Sequence, residues 1–263
     1  YFNTTNAWAA SILSTRQEVA SYHQLRDING ELALENQKLH QQVFQLQAQE
    51  RLTTTINSSW QFFKGDTAKA SAQNKWTKVA IPHTWNAKDP FDDVPGYRRG
   101  IAWYRRTLVL DSSYAGKRLH LQFEGVNQVA DVYVNGAFAG RHEGGYTAFT
   151  LDVTKWLTIG APNLIAVQVN NSTDPYIAPL AVGYALYGGI YRDVWLVATA
   201  PVHVALDDHG SNGTTVTTPL VTRDSAITQV RATIANDGAL PRGVRVVHTV
   251  EDATGRVVAT VSS

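Results

Sequence analysis

Carboxyl groups are the first side chains to weigh as catalysts, because two of them held close can divide acid, base and nucleophilic work. Where the chain is rich in β-branched residues, its glutamates are Glu124, Glu143 and Glu251, far apart in sequence. Serine and histidine are plentiful, yet no Gly-x-Ser-x-Gly turn presents a nucleophile. No phosphate-cradling glycine loop occurs, and no His-Glu-x-x-His pair offers metal ligands. With no cysteine, thiol chemistry and disulfides are excluded. These motifs call for no cofactor, no metal and no catalytic residue.

The elements that must position such groups follow from composition. A chain of 263 residues holds one large or two modest domains. Its 44% apolar content is ordinary for a globular protein, and a formal net charge of +1 gives no electrostatic reason to expect nucleic acid or an anionic membrane as partner. No apolar run approaches the roughly 20 residues that span a bilayer. A chain that opens on Tyr1 and has no methionine reads as a processed or excised piece.

Three compositional zones divide the chain. Residues 1–50 are rich in Gln, Glu, Asn, Leu and Ala and contain no proline, which predicts helix. Leu25, Leu32, Leu39 and Leu46 are spaced by seven, with Asn29, Asn36 and Val43 four residues after the first three. Leucine at d with asparagine at a is the pattern of a parallel two-stranded coiled coil. A homodimer through residues 25–46 is therefore expected, the competing reading being an amphipathic helix packed on its own domain.

In residues 51–200 short alternating runs are separated by turns, with no helical period between them. Leu119–Phe123, Ala130–Val134, Leu164–Val169 and Val194–Val197 read as strands, and Asn135-Gly136 as a hairpin turn. Many short strands predict an antiparallel sandwich or jelly roll. Residues 201–263 continue in the same manner. Strands are predicted at Val202–Leu206, Val230–Ile234, Val244–Val250 and Val257–Val261, with turns at Asn236-Asp237-Gly238 and Asp252-Ala253-Thr254-Gly255. That spacing suggests an immunoglobulin-like sandwich. About 60 residues are fewer than the roughly 100 such a domain uses, so only part of it is expected.

Several motifs follow one another in the order of a known family. They are Ile81-Pro82-His83-Thr84-Trp85-Asn86, Gly100-Ile101-Ala102-Trp103-Tyr104-Arg105-Arg106, Phe123-Glu124-Gly125-Val126-Asn127, Val132-Tyr133-Val134-Asn135-Gly136, Gly144-Gly145-Tyr146-Thr147-Ala148-Phe149, Asn163-Leu164-Ile165-Ala166-Val167, and Gly188-Gly189-Ile190-Tyr191-Arg192-Asp193-Val194-Trp195-Leu196. Together they resemble the β-galactosidase-like members of glycoside hydrolase family 2.

The resemblance implies a mainly β chain. A jelly-roll, galactose-binding-like domain over residues 51–200 would be followed by a partial immunoglobulin-like sandwich and preceded by the helical segment. It also implies a role in degrading β-glycosides (β-galactosidase or β-glucuronidase-like), with carbohydrate as the partner. Retaining enzymes of this kind use two carboxyl groups about 5–5.5 Å apart. In the family both are glutamates on a (β/α)₈ barrel of about 250 residues that follows the sandwiches. The chain is thus expected to be the non-catalytic front of such an enzyme, without that barrel, and Glu124 and Glu143 to be structural.

The family pattern also places two substrate-binding candidates. Asn127 matches its asparagine after Gly-Val, and Asp174 lies where some members hold the sugar with a carboxylate. Amides and carboxylates suit vicinal hydroxyl groups, although either residue could equally close an Asx turn. Both are expected at one end of the sandwich, with solvent-accessible polar atoms. Trp103, Tyr104 and Trp195 read as packing residues, and Arg192 as a buried strut. The insertion Pro175–Leu180 resembles a subset of the family with varied substrates.

Residues 1–50 resemble something else. Tyr1–Asn6, Ser21–Leu25 and Glu31–Leu39 are similar to the coiled-coil segment of the rod-shape-determining MreC proteins. That resemblance implies a periplasmic or extracellular setting, and an alternative role as a coiled-coil interaction protein displaying a carbohydrate-binding-like module.

Overall fold

A computed structural model describes residues 2–10, 51–65, 76–91, 96–178, 187–206, 209–222, 225–241 and 243–262. The chain forms two compact units, one of Arg51–Ala200 with Leu206–Ser211, the other of Tyr1–Glu50, Pro201–Ala205 and Asn212–Ser263.

Where helix was expected at the N-terminus, Phe2–Ala10 form a strand, β1. Two Thr and two aromatic residues favour extended backbone, but Asn and Ala fill the other five positions, so the pairing partner decides. Its backbone groups are satisfied along nine antiparallel positions, from Phe2 opposite Ile234 to Ala10 opposite Ala226. The leucine heptad between Leu25 and Leu46 lies outside the described residues.

The larger unit contains β2 (Arg51–Thr55), β3 (Trp60–Lys64), β4 (Thr77–Val79), β5 (Ile101–Val109), β6 (Arg118–Phe123), β7 (Val126–Asn127), β8 (Val129–Val134), β9 (Ala137–Glu143), β10 (Phe149–Asp152), β11 (Pro162–Asn170), β12 (Gly189–Ile190) and β13 (Val194–Thr199). They build a six-stranded sheet, β4-β3-β5-β11-β8-β9, a four-stranded sheet, β10-β6-β13-β2, and a short β12-β7 pair. All neighbours run antiparallel, as short strands joined by tight turns require. The first and last long strands are partners, Arg51 lying opposite Thr199.

Alternation makes the core. Along β11, Asn163, Ile165, Val167 and Val169 are buried while Pro162 and Leu164 are exposed. In β6, Leu119, Leu121 and Phe123 point inward, and the two inner faces close into one cluster with Trp60, Tyr104, Val132, Val134 and Leu196. Each such side chain contributes about 1.5–3 kcal/mol on burial. Phe123 stacks on Phe149 with ring centroids 4.8 Å apart.

The hairpin between β8 and β9 turns at Asn135 (φ 51°) and Gly136 (φ 83°). Two left-handed residues in succession match the twist of the flanking strands. Asparagine has a second use here. Its amide donates to the Trp156 carbonyl at 2.7 Å and to Asn163 Oδ1 at 2.9 Å, and its oxygen accepts from the Leu164 N–H at 2.8 Å.

The smaller unit contains β1, β14 (Val202–Val204), β15 (Thr214–Val221), β16 (Ala226–Asn236), β17 (Val247–Glu251) and β18 (Val257–Ser262). Strands β1, β14 and β15 pair with β16, and β17 with β18. The expected strand at Val244 begins only at Val247. At the β17–β18 turn the Asp252 carboxylate accepts from the Thr254 N–H at 2.9 Å and the Arg256 N–H at 3.1 Å.

A candidate sugar-binding end of the sandwich

Register decides what comes together. Asn170 at the end of β11 lies opposite Val129 at the start of β8, and Gly189 lies opposite Asn127. The segments before β8, after β11 and before β12 therefore gather at one end of the larger unit, and Asn127 and Asp174 both belong there.

Hydrogen bonds tie these segments together. The Gln128 N–H donates to the Asn170 carbonyl at 3.1 Å, and the Gly144 N–H to the Gln128 carbonyl at 3.0 Å. The Gly145 N–H donates to the Ala178 carbonyl at 2.9 Å, and the Gln128 side chain to the Ile177 carbonyl. Tyr191 donates its hydroxyl proton to the Gly145 carbonyl.

The two candidates differ in what they offer. Asn127 is 3% exposed rather than open to solvent as expected. Its amide donates to the Tyr187 carbonyl at 2.7 Å, while its Oδ1 is buried without a hydrogen-bond partner among the described residues. A buried acceptor left in that state costs about 1–3 kcal/mol, which an incoming O–H group can recover. Asp174 is partly exposed. Its Oδ1 accepts from the Tyr176 N–H at 2.8 Å, closing an Asx turn. That turn presents Tyr176, which is 92% exposed. Tyr146 and Tyr187, on the two tied segments, are also exposed. Phenol rings suit the apolar faces of pyranoses while their hydroxyls meet sugar O–H groups.

A buried network stiffens the neighbouring backbone. Asn86, fully buried, donates to Asp89 Oδ2 at 2.6 Å and the Arg98 carbonyl at 2.9 Å, and accepts from the Gly188 N–H at 2.7 Å. Asn171, also buried, accepts from the Gly100 N–H at 2.9 Å. A Cβ on Gly188 would sit 2.1 Å from the Trp85 ring, and one on Gly189 (φ 128°) 2.5 Å from the His83 carbonyl, so neither position admits a side chain. His83 Nδ1 is hydrogen-bonded to the Tyr104 hydroxyl at 2.7 Å. Burial pushes the Tyr104 phenol up and the His83 imidazole down, so both are neutral near pH 7. Asn86, Asn171 and the three tyrosines were not singled out by sequence. Asn86 and Tyr146 lie within the motifs and Tyr176 within the Pro175–Leu180 insertion, but the register that unites them with Asn171 and Tyr187 was not visible.

The remaining expectations divide. Glu124 accepts from the Trp195 indole N–H at 2.8 Å, and Glu143 lies 3.9 Å from Arg141, so both have structural partners. Tyr104 is core, as expected. Arg192 is not the expected buried strut. It is exposed, with its guanidinium 6.0 Å from the Tyr191 ring centroid, because residues 191–193 leave the strand before β13 begins. Among the described residues no cluster of three His, Cys, Asp or Glu could hold a metal.

The sequence model of the glycosyl hydrolases family 2 sugar binding domain matches residues 25–201, a span that reaches back into the leucine heptad. A β-glucuronidase of Formosa agariphila is 34% identical over 232 residues, covering 80% of this chain and 24% of that protein. A β-galactosidase of Bacteroides ovatus is 33% identical over 225 residues, covering 80% and 25% respectively. The chain thus spans about a quarter of the length of the relatives it matches. Among solved structures, Bacteroides uniformis β-glucuronidase 2, covalently bound to cyclophellitol-6-carboxylate aziridine, superposes with a TM-score of 0.76 at 37% identity, over 81% of this chain and 26% of that one.

Proposed function

The chain belongs to glycoside hydrolase family 2, and on that premise we propose that its larger unit forms one wall of the sugar site of a retaining β-glycosidase. The observation that carries this reading is the gathering, at one end of the sandwich, of tied segments that carry the exposed Tyr146, Tyr176 and Tyr187 and the Asn127 oxygen, which has no hydrogen-bond partner among the described residues. In this reading the wall contributes affinity and orientation. The two carboxyls that cleave the bond come from a (β/α)₈ barrel, as in the family. Relatives named for β-galactosides and for β-glucuronides are similar to the chain to the same degree, which supports β-glycosides as the substrate class.

Titrating the chain with methyl β-galactoside and methyl β-glucuronide, followed by NMR, tests the reading. Each hydrogen bond to a sugar hydroxyl contributes about 0.5–1.5 kcal/mol, so one sugar on one wall binds no tighter than about 1 mM, or −4 kcal/mol. Asn127→Ala and Tyr176→Ala are each expected to abolish the shifts at this end. Shifts that survive both substitutions refute it. No release of nitrophenol from nitrophenyl galactoside or glucuronide above background is expected from the chain alone.

The leucine heptad supports a separate proposal, parallel pairing of two copies through residues 25–46. A monomeric mass in sedimentation equilibrium at tens of micromolar would remove it.

A further inference from the structure

A cleft lies on the same unit, away from the Asn127 end. It encloses about 800 Å³ and is lined by Ser58, Gln61, Lys78, Arg105, Arg106 and Thr107, among others. Thr107 lies opposite Leu164, and Ile101 opposite Asn170, so six residues of β11 separate the cleft from that end. At about 3.3 Å per residue this is about 20 Å.

Charge is the unusual feature here. Lys78 and Arg105 share the face of the sheet that lines the cleft, and none of the lining residues is an aspartate or glutamate. Elsewhere Arg118, Arg141 and Arg256 each meet a carboxylate. Arg105 instead donates from Nε to Gln61 Oε1 at 2.7 Å, and its guanidinium carbon sits 4.0 Å from the Trp76 ring centroid. One amide and one indole thus hold it flat and leave its outer N–H groups directed elsewhere. Arg106, the next residue along β5, points to the opposite face, where it donates to the Ser58 carbonyl at 2.9 Å. Lys78 and Arg105 both lie opposite Gln61, on its two sides. Their strands are therefore about 10 Å apart, the span of a small sugar unit with a charged substituent. The volume is that of a small-molecule site, not of a single ion.

We propose that this cleft is a second carbohydrate site, selective for a saccharide bearing an oxyanion, either a sulfate ester or a uronate carboxylate. Arg105 and Lys78 receive the anion, and the hydroxyls and amide around them receive sugar O–H groups. The proposal stands apart from the Asn127 site, which holds the sugar through an amide and phenols.

Four probes test it on the whole chain by NMR titration: galactose 6-sulfate, methyl β-glucuronide, methyl β-galactoside and sodium sulfate. At least one anionic sugar is expected to bind ten-fold or more tightly than both the neutral sugar and sulfate, with shifts centred on Gln61, Trp76 and Arg105. Which anionic sugar wins identifies the source of the oxyanion. Lys78→Gln with Arg105→Gln should weaken it ten-fold or more, and Lys78→Gln alone, at an exposed site, should weaken it measurably without touching the fold. Asn127→Ala should leave this binding unchanged. Equal binding of the neutral sugar, equal binding of sulfate (an adventitious ion only), indifference to Lys78→Gln, or no binding at 50 mM would each overturn the proposal.

Discussion

Replacing Asn86 by alanine removes three hydrogen bonds from a fully buried position, and their partners are not equally harmed. The Arg98 carbonyl keeps the Trp85 indole N–H at 3.3 Å and the Asn171 amide at 3.4 Å. Asp89 Oδ2 keeps the Arg98 N–H at 2.8 Å. Only the buried Gly188 N–H loses its partner outright. Two replaceable bonds at about 0.5–1 kcal/mol each, plus one orphaned donor at about 1–3 kcal/mol, give a loss of about 2–5 kcal/mol. Urea unfolding read by tryptophan fluorescence measures it. Of the seven tryptophans only Trp8 lies outside the larger unit, so the signal reports that unit. Asp111→Ala, which removes two exposed hydrogen bonds at a turn, from the Ser113 N–H and hydroxyl, is the control, with a cost of about 0.5–1 kcal/mol.

A second readout separates this network from simple packing. At Asp89 burial opposes ionisation, but hydrogen bonds from the Asn86 amide and the Arg98 N–H hold the pKa below its ordinary 3.8. A depressed carboxyl stabilises the fold above its unfolded pKa, and that stability is lost as pH falls through the lower folded value. Asn86→Ala should therefore flatten the stability profile below about pH 4 as well as lower it. A change within 0.5 kcal/mol of the Asp111 control, or an unaltered acid limb, would refute the reasoning.

Other outcomes follow from the same structure. Val167→Ala, at the centre of the sandwich, should cost about 2–3 kcal/mol by urea unfolding, whereas Leu164→Ala on the opposite face of β11 should cost less than about 1 kcal/mol. The Asp252 carboxyl is held at about 2, chiefly by the Thr254 hydroxyl and the Arg256 N–H. Thr254→Ala should return its NMR titration toward the ordinary 3.8. Tyr176→Ala should leave the unfolding midpoint unchanged, since the ring is 92% exposed, so any effect on sugar binding belongs to contact and not to folding.

The sandwich was legible because its strands alternate with a period of two and its turns are written in Asn and Gly. Leu119–Phe123 and Leu164–Val169 needed no tertiary information. The failures have a common physical origin. Phe2–Ala10 sit in a stretch whose composition favours helix, but they form a strand against β16, and a pairing partner more than 200 residues away leaves no local trace. Arg192 was read as a buried strut beside the Val194–Val197 strand, which fails because residues 191–193 lie outside the ladder. Asn127 was identified by its motif, yet its burial depends on β12, a strand of two residues with almost no pattern of its own. Spacing could not reveal the cleft at Lys78 and Arg105 either, because it needs the β4-β3-β5 order before the two cations share a row.

The pairing of Arg51 with Thr199 makes the segment Arg51–Ala200 of the larger unit a cassette whose entrance and exit lie side by side. Such a module can be spliced into a loop of a host protein without spreading the host's backbone, because the two cut ends need to part by only one strand spacing, about 5 Å. The same geometry sets its response to load. Pulled by those two ends, β2 and β13 open like a zip, one bridge at a time, and do not shear as a row. The module is therefore expected to yield at low force however densely its centre is packed.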